Sequence, residues 1–223
     1  MARRRKRAHP RPMGVKFLLA AMLLLAAAAP AVSPVGRYRL HDGPDVASEL
    51  ELRADGRFGY ALAAGSLDEE ATGRWRRVGN RVLLTTAPKP VRPIFAPGKA
   101  ARTTAAPLTL HVTWPDGRGI PGVDFRIEFE SGAPFADYIN NDEGWSLAAT
   151  EARRPVAVTL ALPVYGLVSP RFPIDAAKAN ELTFVLTPHD MGRIDFEQLP
   201  LDIAPGRLVM HRGGGTQTYQ RER

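Results

Sequence analysis

The sequence predicts an all-β protein: an antiparallel meander forming a partial barrel, with a β-sandwich inserted into it. Three observations lead there. From Gly36 onward, apolar and polar residues alternate with the period of two that marks half-buried strands. Gly and Pro number 20 each in 223 residues, and they fall between the alternating runs, where turns are needed. The alternation also comes in two blocks, divided by a proline-punctuated stretch with prolines at 88, 90, 93, 97 and 107.

In the first block, Gly36–Leu40 places Tyr38 and Leu40 on one face and Arg37 and Arg39 on the other. Ser48–Arg53 repeats this with Leu50 and Leu52 against Glu49 and Glu51. Ala54-Asp55-Gly56 predicts a tight hairpin turn, because Asp-Gly accepts positive φ. The chain returns through Arg57–Ala63 with Phe58, Tyr60 and Leu62 inward. Leu67–Thr72 reads as a polar connection, Gly73–Arg77 as a strand carrying Trp75, and Gly79-Asn80 as the turn into Arg81–Thr85. Five strands are too few to close a barrel, which needs about eight. The tail after 188 carries two further strand candidates, Leu208–His211 and Thr218–Arg221, joined by the flexible glycines 213–215. It is therefore expected to return to the first body.

Ala87–Pro107 reads as a connector with at most an edge strand near Ile94-Phe95, since proline removes ladder donors. In the second block Leu108, Leu110, Val112 and Trp114 share a face, and Val123, Phe125, Ile127 and Phe129 share the next. Trp145 and Leu147, then Val156, Val158, Leu160 and Leu162, then Leu182, Phe184 and Leu186 complete a two-sheet sandwich. Each inward Phe or Leu stabilises by about 1.5–3 kcal/mol, which can stand in for disulfides in a chain without cysteine. The expected organisation is a leader at 1–31, a discontinuous barrel-like domain at 32–86 plus 189–223, a linker at 87–107 and a sandwich domain at 108–188.

The net charge of +7 suggests nucleic acid until it is located. Arg3, Arg4, Arg5, Lys6, Arg7, Arg11 and Lys16 precede residue 32, where there is no acid. Setting those seven aside leaves 23 bases and 23 acids in the remainder. The basic run leads into the 13-residue apolar core Phe17–Ala29 and the small-x-small site Ala29-Pro30-Ala31, the order of a secretory signal peptide cleaved after Ala31. A retained N-terminal anchor in the inner membrane is the alternative. Thirteen helical residues cover about 20 Å of a hydrocarbon layer about 30 Å thick, which favours cleavage. The expected location is periplasmic or extracellular, with membrane association only if the leader is retained.

Residues 108–129, LTLHVTWPDGRGIPGVDFRIEF, with the later NDEGWSL, resemble the carboxypeptidase-regulatory-like (transthyretin-like) sandwich domains, a fold of immunoglobulin-like type. The likeness covers Leu108–Val164; Val164-Tyr165-Gly166 matches the usual closing Tyr strand only loosely. It implies a non-catalytic binding or spacer module. The segments ELxLxxDGRFxY and DEEATGRW, within residues 36–85, are similar to half of a lipocalin-like β-barrel, a likeness that implies no particular activity.

Candidate chemistry is sparse. Ser66 and Ser131 lack the nucleophile elbow and a His at motif spacing. Asp68, Glu69 and Glu70 read as exposed carboxylates of a polar turn, and Asp142-Glu143 as a turn without the spaced oxygens of a calcium loop. Arg74, Arg76 and Arg77 flank Trp75, but alternation sends ring and charges to opposite faces, which argues against a nucleic-acid strip. His111 and His211 are expected to face solvent. The sharpest metal idea joins His41-Asp42 to His189-Asp190, whose imidazole and carboxylate donors suit zinc if the tail brings them together. Neither a cofactor nor a catalytic residue is assigned. The expectation is an exported, non-enzymatic protein that binds a small apolar ligand in the first body or an envelope protein at a sheet edge. The alternative is a hydrolase or metal-dependent envelope enzyme using loop His and Asp residues.

Overall fold

A computed structural model describes residues 33–41 and 45–223, with the backbone alone at His41. The leader expected at 1–31 lies outside the described residues. Among the described residues no helix is long and apolar enough to cross a membrane.

The chain is all-β. The first five strands are β1 (Gly36–His41), β2 (Val46–Leu52), β3 (Arg57–Ala64), β4 (Leu67–Val78) and β5 (Arg81–Thr86). Eight strands follow: β6 (Ile94–Ala101), β7 (Thr109–Thr113), β8 (Val123–Phe129), β9 (Phe135–Ile139), β10 (Trp145–Ser146), β11 (Pro155–Leu162), β12 (Leu167–Val168) and β13 (Phe172–Pro173). A short 3-10 turn, Pro163–Tyr165, precedes β12. The last four are β14 (Glu181–Thr187), β15 (Leu199–Ala204), β16 (Arg207–Arg212) and β17 (Gly215–Arg221).

The partial barrel expected from the first block is a complete one. Its order is β1-β17-β16-β15-β5-β4-β3-β2, closed where β17 pairs with β1 (Leu40 opposite Tyr219). β15 joins the tail to β5, with Leu201 opposite Val82. Sequence reading misses β15 because Pro200 interrupts it, although Leu201 and Ile203 keep the alternation and are buried. Closure removes the free edges that a five-stranded meander would expose. The interior is filled by Leu50, Leu52, Phe58, Val82, Leu84, Leu208 and Met210, all 2% exposed or less, and by their buried neighbours. Outside, facing pairs such as Arg39–Glu49 and Arg81–Asp202 make the wall polar.

Leu67–Thr72 is not a connection. It is the first half of the 12-residue strand β4, continuous with Gly73–Val78 and paired throughout with β3. Its acidic residues hide the alternation, because Glu69 takes an inward position beside Ala71.

The inserted region forms two sheets. One has the order β10-β7-β14-β6, with β7 and β14 parallel; in the other β11 and β8 lie between β12 and β9, and β13 also pairs with β11. Their facing sides share one core, including Leu110, Ile127, Leu160 and Leu186. The proline-punctuated stretch contributes more than a short edge: β6 runs eight residues along the outer side of β14, with Pro97 on an edge where no further partner needs its missing donor. Val156, expected in the core row with Val158, is only half-buried. A register shift between Pro155 and Ala157 puts Ala157 inward instead, as a bulge does. Pro34–Arg223 forms a single compact unit, so barrel and sandwich meet along a seam.

Candidate functional site

The site is built where β4 extends beyond its neighbour β5 in the closed barrel. β4 pairs with β5 only through Gly73–Val78, which leaves the other edge of its first half free. The segment after β14 fills that edge. Glu70 N–H donates to the Gly192 carbonyl and Ile194 N–H to the Glu70 carbonyl, both at 2.9 Å. Gly192 has φ 83°, and a Cβ there would meet the Asp68 carbonyl at 2.9 Å, so the close approach requires glycine. Thr86 then grips the segment further along: its N–H donates to the Phe196 carbonyl, its hydroxyl donates to the Ile194 carbonyl, and it accepts from Phe196 N–H, each at 2.9 Å. Held this way, Phe196 enters the barrel, edge-on to Tyr60 at 5.1 Å and tilted against Phe58 at 6.1 Å.

Above this ring lies a polar layer inside the barrel. Arg212 donates from both terminal nitrogens to Glu69, Nη2 reaching Oε1 at 2.9 Å, and Nη1 also lies 3.3 Å from the Tyr60 hydroxyl. The Glu69 side chain is only 9% exposed and that of Arg212 29%. The Ser48 hydroxyl donates to the Ala61 carbonyl at 2.7 Å, which leaves it to accept from the Tyr219 hydroxyl at 2.8 Å. Burial pushes the phenols of Tyr60 and Tyr219 above their ordinary value, with the charge of Glu69 adding in the same direction. The bond to Glu69 raises Arg212 further still. The layer therefore holds neutral phenols, a fixed cation and a carboxylate whose two oxygens are both occupied. It supplies orientation and polarity within an apolar barrel.

Glu69 and Arg212 also line a cleft of about 740 Å³ along the seam. Its apolar lining comes from Pro90, Val91 and Ile194 and from Val164, Tyr165 and Leu167 of the sandwich. At the rim, Lys89 lies 3.0 Å from Asp195 and 2.8 Å from Glu197, and Arg193 lies 3.0 Å from Glu70 and 3.4 Å from Asp190. Most of its charge is thus paired within the protein, while Val91 remains 56% exposed.

No family model, curated protein or solved structure matches the chain.

Of the proposed zinc donors, the His41 side chain and Asp42 lie outside the described residues. His189 is exposed with φ 42°. Asp190 accepts from Val91 N–H at 2.8 Å and faces Arg193, which assigns its carboxylate to holding the cleft wall. Among the described residues no group of three or more His, Asp or Glu side chains gathers as a metal ion would require.

The expectation that Asp68, Glu69 and Glu70 are exposed turn residues fails at Glu69. Strand alternation carries it into the barrel while Asp68 and Glu70 stay outside. His111 is also more enclosed than expected, 27% exposed and 3.5 Å from Glu181, because β14 runs alongside β7. His211 is open, 3.0 Å from Asp202. Ser66 and Ser131 are exposed, and Asn141 caps the turn at Asp142-Glu143 through its side-chain oxygen. Trp75 is half-buried with its indole N–H on the Arg53 carbonyl, while Arg74, Arg76 and Arg77 face out.

Sequence reading overlooked Ser48, Tyr219 and Arg212 and took Tyr60 as plain core. A signal was present: Ser48 falls in the inward frame of Leu50 and Leu52, and Arg212 in that of Leu208 and Met210. A polar residue in an inward frame near a strand end marks a polar layer at a barrel mouth.

Proposed function

We propose that the chain is an exported, non-catalytic binding or accessory module of the cell envelope, and that it engages a protein partner through the seam cleft. The observation that carries this reading is the contrast between a barrel interior filled by side chains and an open cleft with apolar walls and internally paired charges. An interior so filled offers little room for the small apolar ligand considered from sequence. The cleft offers a concave apolar surface, the usual form of a recognition site. Ile94 and Val168, each one residue beyond Pro93 and Leu167 of its lining, are 51% and 65% exposed and extend the apolar area. The likeness of Leu108–Val164 to carboxypeptidase-regulatory-like domains supports the same reading, as does the electrically balanced chain beyond the leader.

The test is affinity capture from envelope extracts with the mature chain and with a V91D/V168D variant. One stoichiometric partner recovered by the parent and lost with the variant is expected. Recovery of no partner, or equal recovery by both, overturns the cleft as the binding surface.

A further inference from the structure

At the barrel end formed by the β2–β3 turn, a second cleft of about 440 Å³ is lined by Arg53, Arg57 and Arg74, with Thr72 and the Ala87-Pro88 backbone beside them. Register brings two of these cations together, since Arg57 is the direct cross-strand partner of Arg74. Side chains directly opposite one another sit about 4.5–5.5 Å apart at Cβ, and like charges in that relation repel. The nearby acids compensate only partly. Glu51 accepts from Arg53 at 2.8 Å but also serves Arg37 at 3.3 Å. Asp55 lies 3.7 Å from Arg57 Nε, beyond hydrogen-bonding distance, with its other oxygen taken by the Arg57 backbone N–H at 3.0 Å. Arg74 forms no ion pair or side-chain hydrogen bond with any described residue.

We propose that this cleft binds a phosphate group. Three guanidinium forks and the Thr72 hydroxyl provide more donors than one carboxylate can accept, whereas a phosphate presents three strong acceptor oxygens and matches guanidinium geometry. A dianion seated between Arg57 and Arg74 also removes their mutual repulsion. This assignment does not depend on the seam cleft. The phosphate is either free in solution or carried by a lipid headgroup.

The experiment melts the mature chain in inorganic phosphate and in chloride at matched ionic strength, and sediments it with phosphatidylglycerol or phosphatidylcholine vesicles. The variants are R57Q/R74Q and, as a control on the barrel wall, R81Q. A phosphate-specific rise in melting temperature that R81Q keeps and R57Q/R74Q loses is expected, with affinity falling roughly tenfold or more per arginine removed. Selective sedimentation with phosphatidylglycerol, lost in the same double variant, assigns the phosphate to a lipid. In chloride the double variant should melt close to the parent, because the repulsion it loses offsets the exposed 3.7 Å Arg57–Asp55 pair it gives up. Absence of both responses, or responses undiminished in R57Q/R74Q, overturns the site.

Discussion

Arg212 of β16 and Glu69 of β4 meet at 2.9 Å inside the barrel mouth, although β15 and β5 stand between their strands in the wall. The pair spans the place where the wall is completed by the Gly192–Phe196 segment. It ties the last hairpin to the first meander more directly than the backbone ladder does.

Breaking this pair should cost more from one side than from the other. R212M leaves the nearly enclosed Glu69 carboxylate without its partner, and a loss of about 3–5 kcal/mol is expected. E69Q leaves the more accessible Arg212 still bonded to Tyr60 and should cost less, about 1–3 kcal/mol. The double replacement E69L/R212M should recover much of the loss, since an apolar pair carries no desolvation penalty. Urea unfolding of the three variants gives the ranking.

Phe196 contributes to the barrel core from outside any strand. It is 3% exposed and contacts Phe58 and Tyr60 through ring faces and edges. F196A should destabilise by about 3–5 kcal/mol, as large-to-small changes in a core do. A cost of less than about 1 kcal/mol in denaturant would show that the segment is dispensable to the barrel.

Alkaline pH should weaken the fold through its buried phenols. Burial raises Tyr38, Tyr60 and Tyr219 above the ordinary value. In the unfolded chain these groups lose protons near pH 10, while the folded chain still holds them. The stability they contribute is thus complete below about pH 10 and falls as pH rises beyond it, by up to about 1.4 kcal/mol per pH unit for each phenol. Unfolding midpoints at about pH 9 and about pH 11, with tyrosinate absorbance followed in parallel, check both sign and onset.

Gly73 is paired on both sides, with Phe58 of β3 and Thr86 of β5, where the pairing of β4 passes from one strand to the other. A Cβ there would collide with the Thr85 carbonyl oxygen, a backbone atom that cannot step aside. G73A should cost about 1–3 kcal/mol, the range for overpacking, whereas G59A, with open space at its Cβ, should cost little. Paired thermal melts compare the two.

Much of the architecture is written in the order of residues. Period-two alternation marks Tyr38, Leu50 and Phe58 as inward, and the Asp55-Gly56 turn marks the β2–β3 hairpin, because pleat and turn geometry are local properties. β15 and the first half of β4 escape the same reading, because Pro200 and the Asp68-Glu69-Glu70 run suppress a local signal that pairing then overrides.

Composition and periodicity, which need no knowledge of neighbours, set the fold class, the basic and apolar character of residues 1–31 and the balanced charge of the rest. Strand counting already sends the tail back to the first body, but tertiary pairing alone adds β15 to the wall, encloses Glu69 with Arg212 rather than leaving it solvated, and stands Arg57 against Arg74. The Glu69–Arg212 contact joins residues 143 positions apart, and strand register rather than any local preference sets such relations.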